Sequence, residues 1–129
     1  MGDDVSAHQH PVEPARVALA RAALPSGKAA VEITARLSLV AEVTRLLILL
    51  ALRAAGELCV GDLALAVQLS DDAVGYALRM LRTAGLVVFR KEGRVVYYRL
   101  AEGFPAPLLD HCVPMLVRLV RSNDEDGTR

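Results

Sequence analysis

The chain has 129 residues, 15 basic and 15 acidic side chains, 53% apolar residues and no Trp, which sizes it for one domain with a modest core. Its apolar content is mainly Ala, Val and Leu, a mixture suited to packed helices and poorly suited to a β-sandwich. The longest apolar run, Leu46 to Leu52, falls well short of the about 20 residues that a membrane helix needs. The acidic opening Gly2-Asp3-Asp4 is unlike a secretory signal, so the sequence predicts a cytoplasmic protein with no membrane partner.

Residues 1–11 are polar and aperiodic, and a flexible tail is expected over 1–13. An Ala-rich helix is predicted over 14–23, opened by Pro14 and broken by Pro25-Ser26-Gly27. Val31, Leu37 and Val40 allow a second helix over 28–41. Leu46, Leu49 and Leu50 give a third, over 44–55, one strong apolar stripe that Gly56 closes.

The next forty residues carry most of the information. Val60, Leu63, Ala64 and Val67 recur at the spacing of one helical face. After the short turn Gln68-Leu69-Ser70, the residues Val74, Ala77, Leu78 and Leu81 repeat that spacing. Ser70 is placed to cap this second helix, with Asp71 and Asp72 at its positive end. Its outward face is then Asp72, Gly75, Tyr76, Arg79 and Thr83, and Gly85 ends it. Two short helices joined by a tight turn match a helix-turn-helix, whose second helix enters the DNA major groove.

At Leu86 the period changes from 3.6 to 2. Leu86 to Arg90 and Arg94 to Arg99 are β-branched and aromatic, and Lys91-Glu92-Gly93 joins them as a hairpin with a basic tip. A zero net charge seems to argue against nucleic acid, but the average hides a segregation. Residues 73–99 carry Arg79, Arg82, Arg90, Lys91, Arg94 and Arg99 against Glu92 alone, a net charge of +5. A helix is expected again over 106–121, with Leu109, Cys112, Val113, Leu116 and Val120 on one side and a kink near Asp110 from Pro114. The flanking helices hold more apolar surface than one copy of such a domain needs, which predicts a homodimer. The domain is expected over 14–122, with dimerisation helices at both ends and an acidic tail over 123–129.

Taken in order, these segments resemble the ArsR/SmtB family of metal-responsive repressors. Glu57-Leu58-Cys59-Val60-Gly61-Asp62-Leu63-Ala64 resembles the segment that opens the helix before the recognition helix. Ala73-Val74 with Leu78-Arg79 and Leu81-Arg82, then Gly85-Leu86-Val87, resembles the recognition helix. Arg90-Lys91-Glu92-Gly93-Arg94 with Val96-Tyr97-Tyr98 resembles the wing. The resemblance covers about residues 37–100. It implies a mainly α fold with a small β-hairpin, a dimeric winged helix-turn-helix of order α-α-α-α-β-β-α. It also implies a repressor bound to double-stranded operator DNA and released by a divalent metal such as zinc.

The DNA-facing set implied is Ser70, Asp72, Gly75, Tyr76, Arg79 and Arg82 with Arg90, Lys91 and Arg94 of the wing. The family usually has Ser and His where this chain has Gly75 and Ala77, so an unusual operator is expected. Of the family's two metal sites, the C-terminal one is missing, because Glu102, Phe104, Met115 and Arg118 stand at its positions. The other keeps Cys59 and Asp62 at i and i+3, and His8 and His10 of the tail are the imidazoles that would complete it. The two cysteines, Cys59 and Cys112, are read as thiols or metal ligands and not as a structural staple. They leave open a thiol- or redox-responsive repressor, and Asp71, Asp72 and Gly75 leave open a winged-helix dimerisation module that no longer binds DNA. No Ser/His/Asp, Cys/His or paired-carboxylate constellation and no Gly-rich phosphate loop occurs, so an enzyme is not expected.

Overall fold

The computed structural model describes residues 10–127, with side chains through Asp124. Two compact units divide the chain between Ala35 and Arg36. In the first, α1 spans Pro14–Ala23, with Pro14 at its start and Arg21 in its last turn. Helix α2, Gly27–Val40, begins in this unit, and the Ser26 Oγ accepts from the Ala29 N–H at 3.1 Å and so caps it. No residue of α1 is buried.

The second unit holds the core. Helix α3, Val43–Ala55, is capped by the Glu42 carboxylate, which accepts from the Arg45 N–H at 3.0 Å. Gly56 follows at φ 88°, a left-handed conformation that a side chain would strain. A two-residue strand β1, Leu58–Cys59, leads directly into α4, Val60–Val67. Helix α5, Asp71–Thr83, is capped by Ser70, whose Oγ accepts from the Ala73 N–H at 3.1 Å. Strands β2, Val87–Glu92, and β3, Val95–Leu100, form the hairpin, turned at Gly93 with φ 65°. The sheet has three antiparallel strands in the order β1-β3-β2, with Cys59 opposite Tyr97 and Arg90 opposite Tyr97.

Ile48, Leu49 and Leu52 of α3, Leu63 and Ala64 of α4, and Val74, Ala77, Leu78 and Leu81 of α5 pack with Leu86, Val87, Phe104 and Leu109 into one core. The α5 stripe is the one its periodicity indicates. The α3 stripe is rotated from the one expected: Ile48 and Leu52 are fully inside, whereas Leu46 and Leu50 are half-buried at the edge. Apart from Thr44, Arg45 and Arg53 near its two ends this helix is apolar all round, so the neighbours α4, α5 and β3 set its rotation.

The sequence puts Leu58 and Cys59 in the segment that opens a helix and shows no strand there. Two residues are too few to show a period, and β1 exists because β3 offers an edge to pair with. Near Asp110 the expected kink takes the form of a five-residue π-helical turn, Leu108–Cys112, in which the Val113 N–H reaches the Leu108 carbonyl. Pro114 cannot donate to the carbonyl four residues earlier, and the widened turn is a common way for a helix to pass such a gap. Helix α6, Val113–Gly127, then runs beyond the expected end. Among the described residues no helix is long and apolar enough to cross a membrane.

Candidate nucleic-acid interface

Helix α5 has one dry face and one wet one. With Val74, Ala77, Leu78 and Leu81 inside, the helical period leaves Asp72, Tyr76, Arg79, Arg82 and Thr83 exposed. Tyr76 is 59% exposed, and the Arg79 guanidinium lies 5.9 Å from its ring centroid. Arg82 sits 4.8 Å from the ring centroid of Phe89 on β2, which fixes its stem against the base of the hairpin. Neither contact consumes the charge, so both guanidinium groups keep donors for an anionic partner. Gly75 is half-buried, and a Cβ built there meets nothing within 4 Å, so its smallness leaves open space beside Tyr76. Ser70 spends its hydroxyl on the cap, and Asp72 lies in the first turn beside Asp71, where the helix dipole favours a negative charge.

The wing cations are not equivalent. Lys91 and Arg94 flank the Gly93 turn, are exposed, and have none of the ion pairs that hold Arg90. The Arg90 Nε and Nη2 donate to the two Glu57 carboxylate oxygens at 2.9 Å each, and Nη1 donates to Glu92 Oε1 at 3.2 Å. Its guanidinium also lies 4.6 Å from the Tyr97 ring centroid. These hydrogen bonds hold the Glu57 carboxyl below its ordinary range and raise the Arg90 pKa, so both stay charged at any ordinary pH. Glu57 escaped the sequence reading, since nothing local links it to a residue 33 positions away.

Arg45 was also missed. It donates from Nε to the Leu39 carbonyl at 2.6 Å and from Nη1 to the Met80 sulfur at 3.5 Å. It thereby joins the end of α2, the start of α3 and the back of α5, and it is largely shielded from solvent.

Cys59 is a free, half-buried thiol and the N-cap of α4, with no side-chain cap hydrogen bond spent on it. Asp62 lies exposed in the first turn of α4. Thiolate and carboxylate at i and i+3 make two donors of a type that suits a borderline divalent ion. His10 is exposed and belongs to the other compact unit, and His8 lies outside the described residues. Among the described residues no group of three or more His, Cys, Asp and Glu side chains gathers closely enough to hold a metal ion. Cys112 is a second free thiol, exposed in the π-helical turn.

Residues 42–88, from the α3 cap into β2, match the family described as bacterial regulatory protein, arsR family. The chain is 41% identical over 86 residues to the HTH-type transcriptional regulator NmtR of Mycobacterium tuberculosis, covering 67% of this chain and 71% of that one. It is 44% identical over 68 residues to the arsenical resistance operon repressor of Escherichia coli, 53% of this chain and 58% of the relative. The chain thus spans little more than half the length of that relative. Among solved structures it resembles a homodimeric winged helix-turn-helix DNA-binding domain from Mycobacterium bovis, with a TM-score of 0.57 and 30% identity over 82% of this chain and 94% of that one. With the match from helix cap to hairpin and the identity to NmtR, the chain belongs to the arsR family of bacterial regulatory proteins.

Proposed function

We propose that this protein is a homodimeric transcriptional repressor that holds operator DNA with α5 and the wing of each copy and releases it when a divalent metal binds. The observation that carries the reading is the outward face of α5. Tyr76, Arg79 and Arg82 stand exposed on a helix whose other face is locked into the core, and a hairpin follows directly whose tip cations, Lys91 and Arg94, make no ion pair among the described residues. A rigid helix aims a few side chains at base edges, and loosely held tip cations meet phosphates wherever they lie. Lys91 and Arg94 supply sequence-independent affinity, and Tyr76 and Arg79 supply selection.

The dimer is supported by α6. Val113, Leu116 and Val120 follow spacings of three and four, the seam of two paired helices. Beside that seam lie two adjoining apolar hollows of about 340 and 330 Å³, both lined by Leu46, Val113 and Leu116. A second copy of the same stripe is the occupant proposed, in keeping with the homodimeric relative from M. bovis.

The regulatory ligand proposed is zinc or a similar thiophilic ion, with Cys59 as thiolate, Asp62 as carboxylate, and His8 and His10 closing the set. A bound ion would favour a dimer shape whose recognition helices no longer match successive major grooves. Couplings of this kind are typically about 1–3 kcal/mol, enough to weaken DNA binding by one or two orders of magnitude.

Fluorescence anisotropy on DNA from the region upstream of the protein's own gene tests both parts. Arg79→Ala is expected to weaken binding to that DNA by about ten-fold or more and to random DNA much less, while Arg94→Ala weakens both alike. Added zinc is expected to release wild type and to leave Cys59→Ser bound. Equal losses from Arg79→Ala on both DNAs would remove the selective role of α5. A Cys59→Ser protein that responds to zinc like wild type would remove the proposed metal site and direct attention to oxidation of Cys112.

A further inference from the structure

We propose that Arg90 and Glu57 form a strut that sets the position of the wing, so that Arg90 acts through the protein and not on phosphate. The inference rests on the DNA-binding reading above, in which all the wing cations would otherwise be equivalent. Sheet order places β3 between β1 and β2. Tyr97 on β3 faces Cys59 on one side and Arg90 on the other, so these three side chains share one face of the sheet. The Arg90 guanidinium reaches from β2 across the Tyr97 ring to Glu57, the residue just before β1.

That reach matters because β1 is held to β3 at only two residue pairs. A forked two-point hydrogen bond at 2.9 Å fixes both orientation and distance, which a single contact would not. The strut therefore staples the short strand, and with it the start of α4, to the hairpin. Electrostatics argue against a phosphate role in the same place. Arg90 is engaged by two carboxylates, Glu57 and Glu92, so the trio carries a net negative charge that would repel a phosphate. Glu57 thereby becomes a positioning residue for the DNA-binding surface, with no contact to DNA of its own.

Salt titration of DNA binding separates strut from phosphate contact, because each lost phosphate contact lowers the slope of log K against log salt by about one. The strut predicts that Arg90→Ala and Glu57→Gln weaken binding to the upstream DNA several-fold with an unchanged slope, while Arg94→Ala lowers the slope. Arg90→Lys should behave like Arg90→Ala, since an ammonium cannot reproduce the fork. The double variant should be no worse than the poorer single one, because both remove the same interaction. Amide hydrogen exchange without DNA should quicken at Leu58 and Tyr98 in each variant. A slope lowered by about one in Arg90→Ala and restored in Arg90→Lys would overturn the strut, as would tighter DNA binding by Glu57→Gln. If wild type shows no salt-dependent binding, the DNA reading fails by itself, and unchanged exchange in Glu57→Gln would then overturn the strut separately.

Discussion

Helix α5 buries Val74, Ala77, Leu78 and Leu81 inside its own chain, whereas α6 leaves Leu116, Leu119 and Val120 each more than half exposed. Both helices carry an apolar stripe at helical spacing. They differ in what surrounds them. Helix α5 has α3, α4 and β2 within reach, and its stripe completes a core that those elements have already begun. Helix α6 touches that core at Val113 and then runs past it. A stripe of one kind thus specifies the fold, and the other is the surface proposed above for association between copies.

The largest expected effect tests the first half of that contrast. Leu78→Ala should cost about 2–5 kcal/mol of folding stability in urea titration, because a fully buried side chain leaves a cavity. Leu116→Ala, on an exposed site, should change the stability of the dissociated chain very little. Equal losses would erase the distinction between the helices.

Charging the α6 stripe tests the second half. Leu116→Glu combined with Val120→Glu should convert dimer to monomer by light scattering, with the helical circular dichroism retained. A full-length wild-type protein that is already a well-behaved monomer would break the comparison and the two-copy operator complex with it.

The signature of the proposed metal site is pH dependence. Cys59, His8 and His10 must all be deprotonated to bind, so zinc affinity should fall as pH drops from about 8 to 6. Calorimetry should also show protons released on binding, and a pH-independent affinity would exclude a thiolate and imidazole set.

The smallest effect expected concerns how α6 is anchored. Asp110 in the π-helical turn accepts from Arg53 Nε at 3.0 Å and from Nη2 at 2.7 Å, which ties α3 to the base of α6. Those hydrogen bonds hold the Asp110 carboxyl below its ordinary value. With the folded pKa lowered, the pair stabilises the fold above the unfolded value of about 4, and the contribution is lost as pH falls through the lower folded value. Asp110→Asn should therefore melt slightly below wild type at pH 7 and together with it in strong acid. A difference that persists in strong acid would mean that the carboxylate is not the cause.

Much of this was legible in the sequence, and the failures have physical reasons. The α5 stripe, the Ser70 cap, the Gly85 stop and the hairpin turn at Gly93 each depend on residues within a few positions, so the sequence displays them directly. The rotation of α3 was not legible, because a helix apolar on nearly every side takes its orientation from tertiary neighbours. Strand β1 was hidden for the same reason: its partner β3 lies some forty residues on in the sequence. Charge counting placed Arg90 with Lys91 and Arg94, and only the sheet order reveals that Glu57 lies across the central strand from it. Composition reports how many cations a segment holds, and it does not report which are already paired.

In the proposed complex, α5 and the wing of two copies grip one DNA site. Its most direct test is anisotropy of the upstream DNA beside a scrambled duplex of equal composition, titrated from about 50 to 200 mM salt with stoichiometry read at saturation. Such a grip predicts two protomers per site, a clear preference for the upstream DNA, and an affinity that falls by orders of magnitude across that range. Binding that ignores salt, or that treats the two duplexes alike at every salt concentration, would contradict it.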